Sequence, residues 1–362
     1  MKHSKFLNPV NFLHKYLQRI LLLFLLLNGD LFYGQEKQYD IRTIAFYNVE
    51  NLFDTINDPH KFDDDRTPKG KDRYTSQIYW DKIAKLSKVI SEIGYEKTHM
   101  KPVLIGLCEI ENKTVLIDLI ASDKLKNADY GIIHYDSPDE RGIDVALLYR
   151  KNYFQPKSHQ AHELFIYDTD GKRDYTRDQL AVTGMLDNEP IHIIVNHWPS
   201  RRGGEAITRP LRMAAAKLTM KIIDSIREID AIGKIITMGD FNDDPDSPSI
   251  QRIAKAKSQK NEVEPFFGLF NPMAKMHKHG LNTLAYRDNL NIFDQIIITQ
   301  PFLEDDYESY RLYKAGIYNK DYLIIQKGPM KGYPFRSYHY NTYQGGYSDH
   351  YPVYIYLIRE KK

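Results

Sequence analysis

A single cysteine, Cys108, occurs in the 362 residues, so no disulfide can form within the chain. Stability must then come from a core, and a hydrophobic content of 42% is enough to build a large one. Charge of one sign is also missing. The first 34 residues hold four basic residues and Asp30; setting them aside takes the totals of 50 basic and 48 acidic residues to 46 and 47, a net charge of −1. Such a balance excludes the broad, sequence-independent grip on nucleic acid that a basic face provides, so any attraction for phosphate must come from a local patch or a bound metal. The apolar run Ile20–Leu27 is far shorter than the roughly 20 residues needed to cross a bilayer. Lys2, Lys5, Lys15 and Arg19 precede it and a short polar segment ends at Gly34, which is the layout of a secretory signal peptide over residues 1–34. Export to the periplasm or the extracellular space is expected, with no cysteine at the cleavage point to take a lipid and no stable membrane anchor. No Pro/Gly/Ser-rich linker and no repeat divides the remainder, which reads as one domain over 36–362.

Within that domain Tyr39–Tyr47 predicts a strand leading into Asn48-Val49-Glu50-Asn51. A charged, turn-rich stretch over 54–75 predicts a surface loop, and the spacing of Ile83, Leu86, Val89, Ile90 and Ile93 predicts a helix over Trp80–Ile93. Buried-type strands are expected at 103–107, 144–149, 180–186, 191–195, 234–238, 293–298 and 353–358, with a helix from Pro210 to Arg227. Strands alternating with helices argue for α/β architecture, while the adjacent pair within 180–195 argues for antiparallel pairing in the same sheets. A mixed two-sheet core with outer helices satisfies both. Residues 326–347, rich in tyrosine and glycine, read as an irregular loop.

Strand after strand ends in carboxylates, amides or imidazoles: Asn48 and Glu50, Glu109, Asn196 and His197, Asp240 and Asn242, Asp349 and His350. A polar group that directly follows a buried strand must find a partner or a metal. One such Asp is usually a helix cap or turn former; five sites carrying only acceptors and imidazoles are hard to explain as turns. In Gly239-Asp240-Phe241-Asn242, Gly239 is expected to let the chain turn, and strand alternation aims Asp240 and Asn242 the same way. Two hard oxygen donors facing one point suit magnesium. In Ser348-Asp349-His350 a carboxylate stands beside an imidazole able to act as general base or as donor to phosphoryl oxygens, once a second group fixes its tautomer; Asp294 is the candidate for that group. No glycine-rich loop with Lys-Ser/Thr, of the kind that cradles a nucleoside triphosphate, is present.

The segments Asn48–Asp54, Glu109, Asn196-His197, Gly239–Asn242, Phe293-Asp294 and Ser348–His350 resemble, in order, those of the endonuclease/exonuclease/phosphatase superfamily. The opening Asn-Val-Glu-Asn-Leu-Phe-Asp and Arg141–Leu147 most resemble a branch described as predicted extracellular nucleases. The resemblance spans nearly all of the mature chain. It implies a four-layer α/β sandwich, two central mixed β-sheets flanked by helices, with the active site at one end. It also implies that Asn48 and Glu109 hold a divalent metal, Mg2+ with Mn2+ or Ca2+ as alternatives, that Asp349 assists the metal or His350, and that Glu50 belongs to the metal's surroundings. Asp240 and Asn242 would position the attacking water and a phosphate oxygen, His350 and Asp294 would form the histidine–carboxylate pair, and His197 would supply acid catalysis or hydrogen bonds to the transition state.

Arginines supply the substrate clues. Arg201 and Arg202 follow His197 closely and are candidates for gripping phosphate. Arg336 sits with Tyr338, His339 and Tyr340 where aromatic rings could stack bases or sugars. Arg141 is a candidate for reaching substrate or locking Asp144, and Asp144 for orienting His197. The leading expectation is an exported nuclease with DNA or RNA as substrate and no inferred protein partner. The alternatives are a phosphomonoesterase or phospholipid-headgroup hydrolase built on the same catalyst, and a catalytically inactive binding module, against which the retained acidic and histidine positions weigh.

Overall fold

The computed structural model describes residues 13, 14, 16–20 and 37–361. Most of the expected leader lies outside the described residues; of it, only 13, 14 and 16–20 are described, as helix. Among the described residues no helix is long and apolar enough to cross a membrane. Residues 40–359 form one compact unit; outside it, Lys37 Nζ donates to Glu360 Oε2 at 2.9 Å.

Twelve strands build two sheets: β1 (Tyr39–Leu52), β2 (Leu104–Ile110), β3 (Tyr130–His134), β4 (Asp144–Arg150), β5 (Phe154–His162), β6 (Gln179–Leu186), β7 (Glu189–His197), β8 (Ile235–Asp240), β9 (Leu269–Phe270), β10 (Asp294–Thr299), β11 (Arg311–Ile317) and β12 (Val353–Glu360). The first sheet runs β11-β12-β1-β2-β4-β3 and the second β9-β10-β8-β7-β6-β5. Each contains a parallel pair, β1 with β2 and β7 with β8, beside antiparallel neighbours, as the mixed pattern predicted.

Alternation along the strands makes the layers. Phe46, Leu104, Cys108 and Leu147 of the first sheet face Val182, Val195, Met238 and Ile296 of the second in one buried cluster. Their neighbours Ala45, Tyr47, Ile105 and Leu107 turn outward onto α1 (Ser76–Glu92) and α2 (Lys113–Ala121), which bury Ile83, Leu86, Val115 and Leu119 against them. On the far side Ile194, Ile235 and Ile297 receive Ala215, Ile222 and Ile223 of α3 (Glu205–Arg227). Helix, sheet, sheet, helix is the expected sandwich.

Several local expectations need correction. The helix α3 begins at Glu205, so Pro210 is its sixth residue rather than its first, and the preceding Gly203 and Gly204, both at positive φ, make the actual entry. Strands β3, β5, β9 and β11 were not foreseen. In β5, only Phe154 is buried, and a register shift falls between Pro156 and Ser158; an edge strand with a proline at its bulge lacks the apolar signal of an inner one. The stretch 54–75 buries Asp63, Asp72 and Tyr74, and the loop 326–347 contains a hairpin pairing Tyr338–His339 with Thr342–Tyr343.

Candidate active site

The ends of β1 and β2 leave the strand pattern together. Register shifts fall between Asn48 and Leu52 and between Cys108 and Ile110, and Glu50, Asn51 and Glu109 take left-handed backbone with φ of 52°, 54° and 63°. That region disfavours residues with a Cβ, and such strain persists only where surrounding structure enforces it. Here it is enforced by hydrogen bonds: Asn51 N donates to Glu109 Oε2 at 2.8 Å and Glu50 N to Asn48 Oδ1 at 2.9 Å.

Facing these ends, the second sheet sets three side chains in one row. Asp240 is in register with His197 across the parallel ladder and with Asp294 across the antiparallel one. Asn48 Nδ2 crosses between the sheets to Asp240 Oδ2 at 3.1 Å and lies 3.4 Å from Glu109 Oε1. Gly239 has a different role from the turn expected of it: it lies within β8, and a Cβ there would stand 2.5 Å from the carbonyl oxygen of Asn196. Its bareness lets β8 lie close against β7. The turn falls at Asn242 instead, at φ 50°, whose N–H donates to Asp240 Oδ1 at 2.9 Å while its side chain donates to the Trp198 carbonyl at 2.9 Å.

His350 comes from the segment entering β12 and meets Asp294 through Nδ1 at 2.6 Å, leaving Nε2 3.9 Å from Asp240 Oδ2. Burial opposes a charge on His350, but Asp294 and Asp240 outweigh it and hold the imidazole well above its ordinary value. His197 Nε2 lies 3.7 Å from Asp240 Oδ2 and 4.0 Å from Glu109 Oε1. Burial, followed by the positive Arg177 and Arg141, holds His197 well below the ordinary value, so it is neutral. Asp240 is pushed up to about 6 by burial, with His350 opposing and Asp294 and Glu109 adding. Two imidazoles of opposite protonation thus flank one carboxylate, the pattern that separates acid from base roles.

The raised His350 value has a consequence for the metal-free protein. A group whose folded value exceeds its unfolded value of about 6.5 contributes stability fully below that pH and loses it as pH rises through the folded value. Asp294→Asn removes the main positive contribution. The loss of stability in this variant, measured by denaturant unfolding in chelator, is therefore expected to be largest near and below about pH 6 and to shrink as pH rises through the raised His350 value; a difference that grows with pH contradicts the pairing.

Other expected site residues are placed differently from one another. Glu50 is 5% exposed, and its carboxylate accepts from Ser337 N at 2.6 Å and Ser337 Oγ at 2.8 Å, with Arg336 Nε at 3.4 Å, so it clamps a loop. Asp349 pairs with Arg336 at 2.9 Å at the edge of the same region. Arg201 lies over the Phe293 ring and donates to the Asn242 carbonyl at 2.8 Å, to Asp243 at 3.2 Å and to Asp244 at 3.3 Å; this holds the loop after β8, a structural engagement the sequence reading did not foresee. Arg202 is exposed, with its backbone N–H on Ser200 Oγ. Arg141 lies beside Asp139, at 3.7 Å, and does not lock Asp144. Asp144 is taken by His134 at 3.0 Å and by the Ser137 N–H at 2.8 Å, so it does not orient His197, whose Nδ1 has no hydrogen-bond partner among the described residues. Arg177, which joins Asp139 at 3.0 Å to the Trp198 carbonyl at 2.6 Å, and Lys82 behind Glu50 were missed.

A hard divalent cation fits what is present. Glu109 and Asp240 offer oxygens, beside an Asn48 amide whose Nδ2 faces both and whose Oδ1 accepts from Glu50 N–H; the Cys108 thiol is buried between the sheets, and Asp240 is raised by burial first, with Asp294 and Glu109 adding. Ligand atoms of Asp240, Asp294 and His350 also lie within 4.8 Å of one another. Because Asp294 and His350 already share a 2.6 Å bond, the oxygens of Asp240 and Glu109 are the better donors for a cation; the Asn48 oxygen, expected as a ligand, is turned to the Glu50 N–H instead.

Residues 43–359 match the model of the Endonuclease/Exonuclease/phosphatase family. Comparison with curated proteins gives no match. Among solved structures, a D. rerio TDP2 humanized by 14 mutations is 12% identical, with a TM-score of 0.53 covering 88% of this chain and 98% of that one. An endonuclease/exonuclease/phosphatase family protein from Bacteroides thetaiotaomicron is 14% identical, TM-score 0.51, over 90% and 100% of the two chains. The mannosyl-6-phosphatase of Bacteroides thetaiotaomicron VPI-5482 is 16% identical, TM-score 0.51, over 87% and 99%. At these identities the likeness is one of fold. The family match over nearly the whole chain, on a two-sheet sandwich whose strand ends gather carboxylates, amides and histidines, makes this protein a member of the endonuclease/exonuclease/phosphatase family, a metal-dependent hydrolase of phosphate ester bonds.

Proposed function

We propose that the protein is an exported Mg2+-dependent phosphodiesterase whose substrate is nucleic acid. The observation that carries the reading is the meeting of Asp240 with Asn48 from the opposite sheet and with the His350–Asp294 pair at one end of the sandwich. A phosphodiester is a poor electrophile because its oxygens are negative, so the site must neutralise them and hold a water in line. Asp240, with Asn242 at its Oδ1, orients the water and receives its proton. His350, held as a cation by Asp294, donates to a phosphoryl oxygen. His197, neutral and buried, presents Nε2 beside Asp240 and Glu109 and serves the leaving oxygen through a hydrogen bond. A cation held by Glu109 and Asp240 would supply neutralising charge to the phosphoryl group.

Fold alone admits other substrates: D. rerio TDP2 is described with a single-strand DNA product, and the Bacteroides thetaiotaomicron neighbour as a sugar phosphatase. The test is a panel. Purified protein is incubated with plasmid DNA, RNA, a sugar phosphate and sphingomyelin, in Mg2+ and in EDTA. Cleavage of DNA or RNA in Mg2+ and its loss in EDTA are expected; release of phosphate from the sugar, or of headgroup from the lipid, with the nucleic acids intact would replace this reading.

A further inference from the structure

Beside the reaction centre lies a cavity of 540 Å³ whose wall includes Glu50, Asn51 and Asp349, the chain neighbours of Asn48 and His350. Two hairpins build it. One joins Leu284–Tyr286 to Asn289–Asn291 through Arg287 and Asp288, at φ 48° and 63°, the two-residue turn that matches strand twist; the other carries Tyr340 at its tip, at φ 49°. The first hairpin is pinned to the far wall: Asp288 N–H donates to Tyr333 Oη at 2.7 Å and Tyr333 returns a bond to Asp288 Oδ1 at 2.6 Å. The cavity is thus a built feature rather than a gap between loose loops.

Its lining is unusual for a surface. Tyr340 is 86% exposed and Tyr286 is 61% exposed, and both line the cavity. Arg287 lies over the Tyr286 ring, 5.3 Å from its centroid, and has no ion pair among the described residues. Arg66 and Arg336 line it too, Arg66 over the Tyr338 ring at 5.4 Å. Exposed tyrosines among arginines next to a phosphoester site fit a flat aromatic group attached to phosphate.

Resting on the nucleic-acid reading above, we propose that this cavity seats an unpaired nucleobase of the nucleotide flanking the scissile phosphate, so that the enzyme prefers single strands. In a duplex both faces of each base are covered by its stacked neighbours, and the base reaches the tyrosines only if it is unstacked, at a cost of a few kcal/mol.

The test compares kcat/KM in Mg2+ for a single-stranded oligonucleotide, the same sequence as duplex, and a strand of abasic spacers, in DNA and RNA versions. The single strand is expected to exceed duplex and abasic strand by about tenfold or more, in line with stacking of about 1–3 kcal/mol per base. Tyr340→Ala and Arg287→Ala, both surface changes checked by an unchanged melting temperature, are expected to pull the ratio of single strand to abasic strand towards one. Equal rates on single strand and duplex, or a ratio unmoved in both variants, overturn the base seat while leaving the nuclease reading standing. Failure to cut any nucleic acid, with another phosphoester cleaved, overturns both.

Discussion

Replacing Asp240 with alanine is expected to lower kcat on bis(p-nitrophenyl) phosphate by about 10³-fold or more, because one change removes the proton acceptor and the group that positions the water. Asp240 is the point on which Asn48 at 3.1 Å, His197 at 3.7 Å and His350 at 3.9 Å converge. Stability should not follow activity down. Burial and the charges of Asp294 and Glu109 already disfavour the ionised carboxylate, so removing it relieves repulsion. Asn48 keeps Glu109, and His350 keeps Asp294. The variant is therefore expected to melt at or above the wild-type temperature in chelator. Asp240→Asn should lose as much activity, since an amide keeps the shape but cannot take a proton. A kcat within tenfold of wild type in either variant, by steady-state assay, contradicts the assignment.

What could be read from the residues follows from how strongly packing constrains them. Inner strands such as β7 and β8 are buried on both faces, so their apolar runs stand out, and the first polar residues after the runs, Asn196-His197 and Asp240, mark the sheet end where the site lies. Edge strand β5 is mostly exposed, and its sequence is polar like a loop's. The left-handed backbones of Glu50, Asn51, Glu109 and Asn242 left no glycine to announce them, because local hydrogen bonds impose them. Side-chain pairings outside the motifs were the least legible: nothing in the sequence says that His134 and Ser137, ten and seven residues before Asp144, claim it, or that Arg201 is held by the loop after β8. Lys82 did carry a signal. Tyr79, Lys82, Leu86 and Val89 recur at helical spacing on the buried face of α1, and a lysine in that stripe needs a partner.

That partner makes Lys82 the residue whose loss should destabilise the protein most. At 1% exposure, Lys82 donates through Nζ to the Glu50 carbonyl and to Ser337 Oγ at 2.8 Å, while Ser337 holds the Glu50 carboxylate. Burial lowers the Lys82 value to about 8 despite the attraction of Glu50, so the attraction between the two buried charges contributes little net stability. Removing Lys82 is another matter, because the Glu50 carbonyl and Ser337 Oγ lose their buried donor and the Glu50 carboxylate stays buried with only Arg336 as counter-charge. Lys82→Met is expected to reduce unfolding free energy by about 3–5 kcal/mol. The damage should reach catalysis: Glu50 stands two residues from Asn48, and through Ser337 and Arg336 it steadies the loop bearing Asp349 and His350, whose Gly346 packs against the carbonyl of Arg336. Adding Glu50→Gln to Lys82→Met neutralises the stranded carboxylate and should restore more than half of the lost stability, a recovery that a simple packing defect at Lys82 would not show. Chemical denaturation of the two variants decides it, and a single-variant loss below about 1 kcal/mol would remove Lys82 from the account of how the site is held.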